Sequence, residues 1–432
     1  MRMYKYIHPE ATDSELVEME EGTGYKAVME AISLFNREKS FRKQGLSVVP
    51  LKYGISFTAA AANKAIAKAS LKADGKLYIK TGGVEMGQGL FTKLKQIAAL
   101  EFGIHTKQIV MVEFDTDLVD KDYSYPGTGA STGTDLNGRA IVGLASKIIL
   151  ENLRPELEKT QEGKELWDFY VSNKYRWSKH KGEDDHWPKV VEYLTNRNKL
   201  FEDIKFTYDM SQLGLLKGVD PKTKVGEKTF YYFNYAAAFV HVEVDCLTGE
   251  WELLNVNIIY DAGVSINPAI DIGQIEGGFV QGTGYVTCES VDYSKEGKLL
   301  TDSTWTYKIP TTTELPRKLT VSMYPEDIDL KAMSRVSGYT EEECLTHIRR
   351  RNVDHPADEH KAVAEWIDTF GVQSSKTSGE PPIVLANGVY FAIYDAVRAF
   401  RIHHKSASSS DPVGLSCPAN TYAILKACHG PA

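Results

Sequence analysis

The sequence predicts an α+β fold in which mixed sheets are packed by helices. Helical and strand-like runs are interspersed without strict βαβ alternation, and one β-hairpin signature stands out among them. At 432 residues the chain also exceeds the usual size of a single core, so two subdomains are expected.

The elements follow in order. Residues 24–43, GYKAVMEAISLFNREKSFRK, form a charged surface helix with an apolar stripe on one side. Strand-like runs come next at LSVVPLKYGISFTAA and KLYIKTGG. The Ala-rich stretch between them, AAANKAIAKASLKADG, reads equally as a short helix or as strand residues flanking a loop. GLFTKLKQIAALEFG places Leu90, Leu94, Ile97 and Leu100 near helical spacing, which predicts an amphipathic helix. A strand, QIVMVEFDTD, leads to the Gly/Ser/Thr-rich loop YSYPGTGASTGTD and a second helix, LNGRAIVGLASKIILENLRPEL. Residues 161–229 are polar and weakly periodic and read as connecting structure packed on the surface.

The hairpin is FNYAAAFVHVEVD, a Cys-Leu-Thr-Gly turn, and EWELLNVNIIYDAG, with Val240, Val242 and Val244 alternating with more polar neighbours. Gly249 stands where the turn calls for positive φ. A Gly-rich helix starts after Asn267-Pro268. A charged, helix-prone segment spans about 325–372, and a last apolar helix follows Pro382 and runs through Phe400.

Composition excludes several classes. The formal net charge of -8, with no basic run interleaved with aromatics, argues against nucleic acid as a partner. The longest apolar stretches fall far short of the ~20 residues a transmembrane helix needs, and the first residues have no apolar signal-peptide core. Cys246, Cys288, Cys344, Cys417 and Cys428 are odd in number and scattered, without C-x-x-C spacing. This predicts a reducing cytoplasm and no disulfide framework or iron–sulfur site. The histidines, among them His180, His186, His355, His360, His403 and His404, form no zinc set with nearby cysteine or carboxylate.

Three loops could carry chemistry, each opening a helix: residues 81–89, residues 127–133 and residues 378–382. Glycines let backbone amides approach a ligand, and helix N-termini aim those amides at negative charge. Gln88, Ser131 and Gln281 add neutral hydrogen-bonding groups. The set suits an anionic, heteroatom-rich cofactor, although each loop alone is also compatible with an ordinary strand-to-helix turn. Neither a Walker loop nor a dinucleotide fingerprint is present. Glu380 follows a glycine and precedes two prolines, where a carboxylate either caps the helix or serves as a partly buried general base.

At these residues the chain resembles the xanthine dehydrogenase and aldehyde oxidase family of molybdenum hydroxylases. The resemblance rests on Gly83-Val84-Glu85-Met86-Gly87-Gln88-Gly89-Leu90-Phe91-Thr92-Lys93, on CLTGEWELLNVNIIYDAGVSINPAIDIGQIEGGFVQGTG, on Tyr307–Pro310, and on SKTSGEPPIVLANGVYFAIYDAVRAFR. It implies the C-terminal half of a molybdopterin-binding region. Residues 1–44 would be a helical lead-in, and residues 45–432 two subdomains carrying the charged insertion at about 325–372. The implied cofactor is a molybdenum–molybdopterin. The implied reaction is hydroxylation of a purine ring carbon, or of an aldehyde, with oxygen from water. By resemblance Glu380 is the base; Met86, Gly87 and Gln88 form the first pterin loop; and Ala130, Ser131 and Gly133 fall on the second. Ala130 would lie beside the molybdenum without ligating it, Gln281 would contact the cofactor, and Phe57 would stack on a planar substrate.

Iron–sulfur clusters, FAD and the first half of the molybdenum domain would lie on upstream domains or separate subunits, within a homodimeric enzyme. The wording of the motifs favours xanthine dehydrogenase over aldehyde oxidase. Two alternatives stay open: an aldehyde oxidase-like component, and a non-catalytic remnant that keeps the fold.

Overall fold

The computed structural model describes residues 25–113, 127–173, 186–210, 230–324, 372–404 and 411–430. Helix α1 (Tyr25–Glu38) buries only Ile32, and β1 (Arg42–Ile55) follows it directly. Arg42 and Lys43 therefore belong to a strand and not to the helix expected to reach residue 43. Then come β2 (Lys64–Leu71), β3 (Leu77–Thr81), α2 (Leu90–Phe102) and β4 (Ile109–Val112). The Ala-rich stretch resolves in favour of strand: β2 alternates buried and half-buried residues and sits between β3 and β5.

Helix α3 (Gly133–Lys147) continues through a π-helical turn, Ile148–Leu153, into α4 (Arg154–Leu157). Helices α5 (Gln161–Asn173) and α6 (Trp187–Asn196) and strand β5 (Ile204–Asp209) follow. These three occupy a region expected to be surface connection. Instead Tyr170, Trp187, Val190, Tyr193 and Leu194 are buried in a core. Their polar neighbours diluted the periodic signal, yet a few large aromatic side chains each bury enough area to anchor a helix.

The second half holds β6 (Tyr232–Asp245), β7 (Trp251–Asp261), α7 (Pro268–Thr287), β8 (Leu319–Tyr324), α8 (Pro381–Leu385), α9 (Asn387–His403) and α10 (Thr421–His429). The charged segment from 325 lies outside the described residues up to 371.

Two four-stranded sheets result, in the orders β1-β6-β7-β8 and β4-β3-β2-β5. Each combines antiparallel pairs with one parallel pair, β7–β8 and β3–β4, so the expected mixed-sheet α+β class is the observed one. The expected hairpin is β6–β7, with Gly249 at φ 75° in its turn. Pro50 is accommodated in β1 because β1 is an edge strand.

One core lies between the β4-β3-β2-β5 sheet and α2, α3, α5 and α6. The other joins the β1-β6-β7-β8 sheet to α7, α9 and α10. The stretch Pro381–His403 is long and apolar enough to cross a membrane by average composition, and half of it is buried inside the protein. Asn387, Asp395 and Arg398 break it into shorter apolar runs. Packed against β1, β6 and α7, this stretch is a core helix pair.

Candidate active site

Strand parity brings the site together. Tyr232 and Asn234 are two apart on β6, so they share one face of the sheet. Tyr53 pairs directly with Asn234, and Tyr260 pairs with Ala236, so both lie on that face too. All four side chains converge on residues 377–380. Thr377 N donates to Tyr232 Oη at 2.9 Å, and its carbonyl accepts from Tyr260 Oη at 2.8 Å and Asn234 Nδ2 at 3.2 Å. Tyr53 Oη donates to Glu380 Oε2 at 2.6 Å.

The same segment is gripped from the other core. Glu380 N donates to Ser131 Oγ at 3.1 Å, and Ser131 Oγ lies 2.5 Å from Thr377 Oγ1. Ser378 Oγ donates to Asp271 Oδ1, which also holds the Lys93 ammonium at 2.5 Å, while Ser265 Oγ donates to Asp271 Oδ2. The Glu380 loop is thus a keystone between the two cores. Tight packing completes it: a Cβ on Gly282 of α7 would stand 2.2 Å from the Ile383 carbonyl oxygen, so only glycine lets α8 settle there.

Glu380 occupies the N-cap position of α8, but its side chain makes no capping bond. The helix-cap alternative is therefore not what the carboxylate does. It is half-buried, held by Tyr53, and lines a cleft of about 190 Å³. Met86, Gln88, Ser131 and Gly133 line the same cleft. Gly87 has open space where a Cβ would sit, and Met86 is 69% exposed. Phe57 packs against the first core, its ring edge facing Gly129, with its backbone pinned by Asn63. Gln281 is exposed, donating to Tyr285 Oη at 2.6 Å. Phe57, Gly87, Ala130 and Gln281 are not on the cleft wall.

The amides expected to face a ligand divide unevenly. In the first loop, Glu85 accepts from the backbone N–H groups of Gly87, Gly89 and Phe91, each at 2.9 Å. The chain's own carboxylate is thus the anion at the α2 N-terminus. Pro381 and Pro382 have no N–H to offer at α8. Helix α3 begins on the cleft at Gly133 with no side-chain cap from Thr132, leaving an N-terminus suited to negative charge. It is entered through Ala130 and Ser131 at φ 49° and 56°, a left-handed backbone costing on the order of 1–3 kcal/mol per residue. Thr128 Oγ1 accepts from Val84 N at 2.8 Å and so joins the first two loops.

Asp135, in the first turn of α3, is fully buried; burial pushes its carboxyl pKa up, against a counteracting hydrogen bond from Tyr232 at 2.8 Å. Burial, with the bonded charge of Glu380, pushes the Tyr53 hydroxyl up to about 12. The cleft-lining cations Lys93 and Lys376 are paired with Asp271 and Asp261. What remains facing the cleft is chiefly neutral: Gln88, Thr128, Ser131, Thr134, Gln274, Thr377 and Ser378.

A family described as "Molybdopterin cofactor-binding domain" matches residues 18–316. The chain belongs to the molybdopterin cofactor-binding domain family. Its relatives include xanthine dehydrogenases and aldehyde oxidases. It is 33% identical to the xanthine dehydrogenase/oxidase of Mus musculus over 408 residues, covering 94% of this chain and 25% of the relative. It is also 33% identical to aldehyde oxidase 4 of Rattus norvegicus, again over 94% of this chain and 25% of the relative. The chain thus spans about a quarter of the length of these relatives, and an overlap of that extent leaves too few terminal residues to exclude Glu380. In fold it is similar to the CO dehydrogenase of Oligotropha carboxidovorans (TM-score 0.60, 17% identity, 95% of this chain and 44% of that one). The quinoline 2-oxidoreductase of Pseudomonas putida is similar too (TM-score 0.58, 18% identity, 96% and 45%).

The cleft's own chemistry fits the molybdenum–molybdopterin cofactor of this family. Its neutral donors and uncapped helix start suit an anionic, heteroatom-rich group. Among the described residues no three His, Cys, Asp or Glu side chains could hold a metal together. At about 190 Å³ the cleft is smaller than the ~300–1,000 Å³ of typical ligand sites.

Sequence reasoning missed Tyr53, Lys93, Asp271, Gln274 and Thr377. The other four fall inside the motifs that carry the resemblance, and Tyr53 left a trace of its own. It alternates with Leu51 and Ile55 along β1, and a tyrosine on a buried strand face needs a partner for its hydroxyl.

Proposed function

We propose that this chain is the molybdopterin-binding part of an oxidoreductase that hydroxylates a ring carbon of a purine, such as hypoxanthine or xanthine, with oxygen from water. Iron–sulfur, flavin and remaining molybdenum-domain parts would lie on further sequence or on separate subunits. The observation that carries the reading is the Glu380 carboxylate: half-buried, on the cleft wall, and fixed at the junction of both cores by Tyr53 and Ser131.

Met86, Gly87, Gln88, Ala130, Ser131, Gly133 and Gln281 would hold the cofactor, which when bound supplies the redox centre. Ser131 has a second task here: its hydroxyl fixes the backbone of Glu380. Glu380 accepts the proton released as the substrate carbon gains oxygen, a base positioned before the reaction begins. Phe57 offers an aromatic face to a planar substrate beside the second loop.

An aldehyde substrate is the second reading, favoured by the equal identity to an aldehyde oxidase. The four described free thiols suit a cytoplasmic setting. Metal analysis of the purified protein, alone and with its partner chains, tests the reading: stoichiometric molybdenum is expected. Its absence in both preparations would leave a fold-retaining remnant. Glu380→Gln in the assembled enzyme should abolish turnover while sparing molybdenum content, and retained turnover would remove Glu380 from the role of base.

A further inference from the structure

The two oxygens of Glu380 are not equivalent. Oε2 accepts from Tyr53 Oη at 2.6 Å, whereas Oε1 has no hydrogen-bond partner among the described residues. Other ionisable groups at the cleft are committed elsewhere. Lys93 is held by Asp271, Lys376 by Asp261, and Asp135 by Tyr232. The backbone of Glu380 is fixed separately, through its N–H on Ser131. Among the described residues its side chain is therefore addressed by a single group, the Tyr53 hydroxyl, which reaches it from the edge strand β1.

We infer that Tyr53 is a positioning residue for the base: it donates to Oε2, fixes the carboxylate's orientation, and leaves Oε1 as the atom that takes the proton. A hydrogen bond from a hydroxyl to a carboxylate is short and directional, so the contact holds the carboxylate plane in one orientation. Because the Tyr53 hydroxyl titrates only at about 12, it remains a donor throughout the working pH range.

This inference rests on Glu380 serving as the base, and the experiment separates the two. Tyr53→Phe, Glu380→Gln and the double variant are prepared in the chain with its natural partners. In Tyr53→Phe, molybdenum content and KM should stay at wild-type values. Its kcat should fall about 10- to 100-fold, the scale of one hydrogen bond to a charged group. An independent readout needs no turnover. Infrared difference spectra should show the carboxylate stretch shifted by Tyr53→Phe in the wild-type background and unshifted where Glu380 is already Gln. If Glu380→Gln abolishes turnover while Tyr53→Phe leaves kcat unchanged, the inference falls and the proposed base survives. An infrared shift that persists in the Glu380→Gln background also overturns it.

Discussion

Asp271 offers the sharpest test of how the Glu380 loop is held. Its two oxygens accept from Lys93 Nζ, Ser378 Oγ and Ser265 Oγ. The ion pair is buried, with side-chain exposures of 10% for Lys93 and 2% for Asp271. Asp271→Ala leaves an ammonium in the interior without its counter-charge, which costs about 3–5 kcal/mol. Two hydroxyls also lose their acceptor, at about 1 kcal/mol each where nothing replaces it. Water reaching the new gap recovers part of this, so about 3–5 kcal/mol is the expected net loss, a large share of the ~5–15 kcal/mol that stabilises a typical domain. Lys93→Met with Asp271→Leu removes both charges together, and replacing a buried pair by apolar groups is close to neutral or stabilising. Urea unfolding followed by far-ultraviolet circular dichroism measures the loss, and amide hydrogen exchange over residues 375–380 shows whether the loop opens locally. A single variant within 1 kcal/mol of wild type, or a double variant as unstable as the single, would refute the reasoning.

Helix α7 permits a comparison along one element. Gly282→Ala must push a backbone carbonyl away, costing about 1–3 kcal/mol and lowering kcat through displacement of α8. Gly277→Ala has nothing within 4 Å of its new methyl group and should raise stability by about 0.5–1 kcal/mol through helix propensity; thermal unfolding checks both. For Asp135 the folded pKa lies above its ordinary 3.8. The protonated form thus contributes stability that is full below pH 3.8 and lost as pH rises through the folded value. Asp135→Asn should accordingly gain on wild type as pH rises, with the advantage vanishing in acid; melting temperatures from pH 3 to 8 would show it, and a pH-independent difference would rule it out.

Much of the local architecture was legible in the sequence because it depends on near neighbours. Leu90, Leu94 and Ile97 recur at helical spacing, and the three are buried on α2. Val240, Val242 and Val244 alternate, and the three are buried on β6. Gly249 has the positive φ its turn demanded. Long motifs in order identified the family, since each records a backbone shape and a set of side chains together. Signals failed where a few large residues outweigh a polar background, as Trp187 and Tyr193 do on α6. They failed also where averages and runs disagree, as along Pro381–His403.

Glu380 marks the division between the two kinds of information. Its place at the start of a helix, after a glycine and before two prolines, followed from sequence alone, as did the expectation that it serves as a base. The sequence could not say whether its carboxylate caps that helix, nor which groups touch it. Those answers depend on Tyr53, Ser131 and Asp271, which stand 327, 249 and 109 positions away along the chain. Hydrogen bonds of 2.6–3.1 Å to Glu380 itself arise only once strand pairing has set which face each residue occupies and both cores have closed on the loop. Local pattern selects the elements, and packing between them decides what a carboxylate can do.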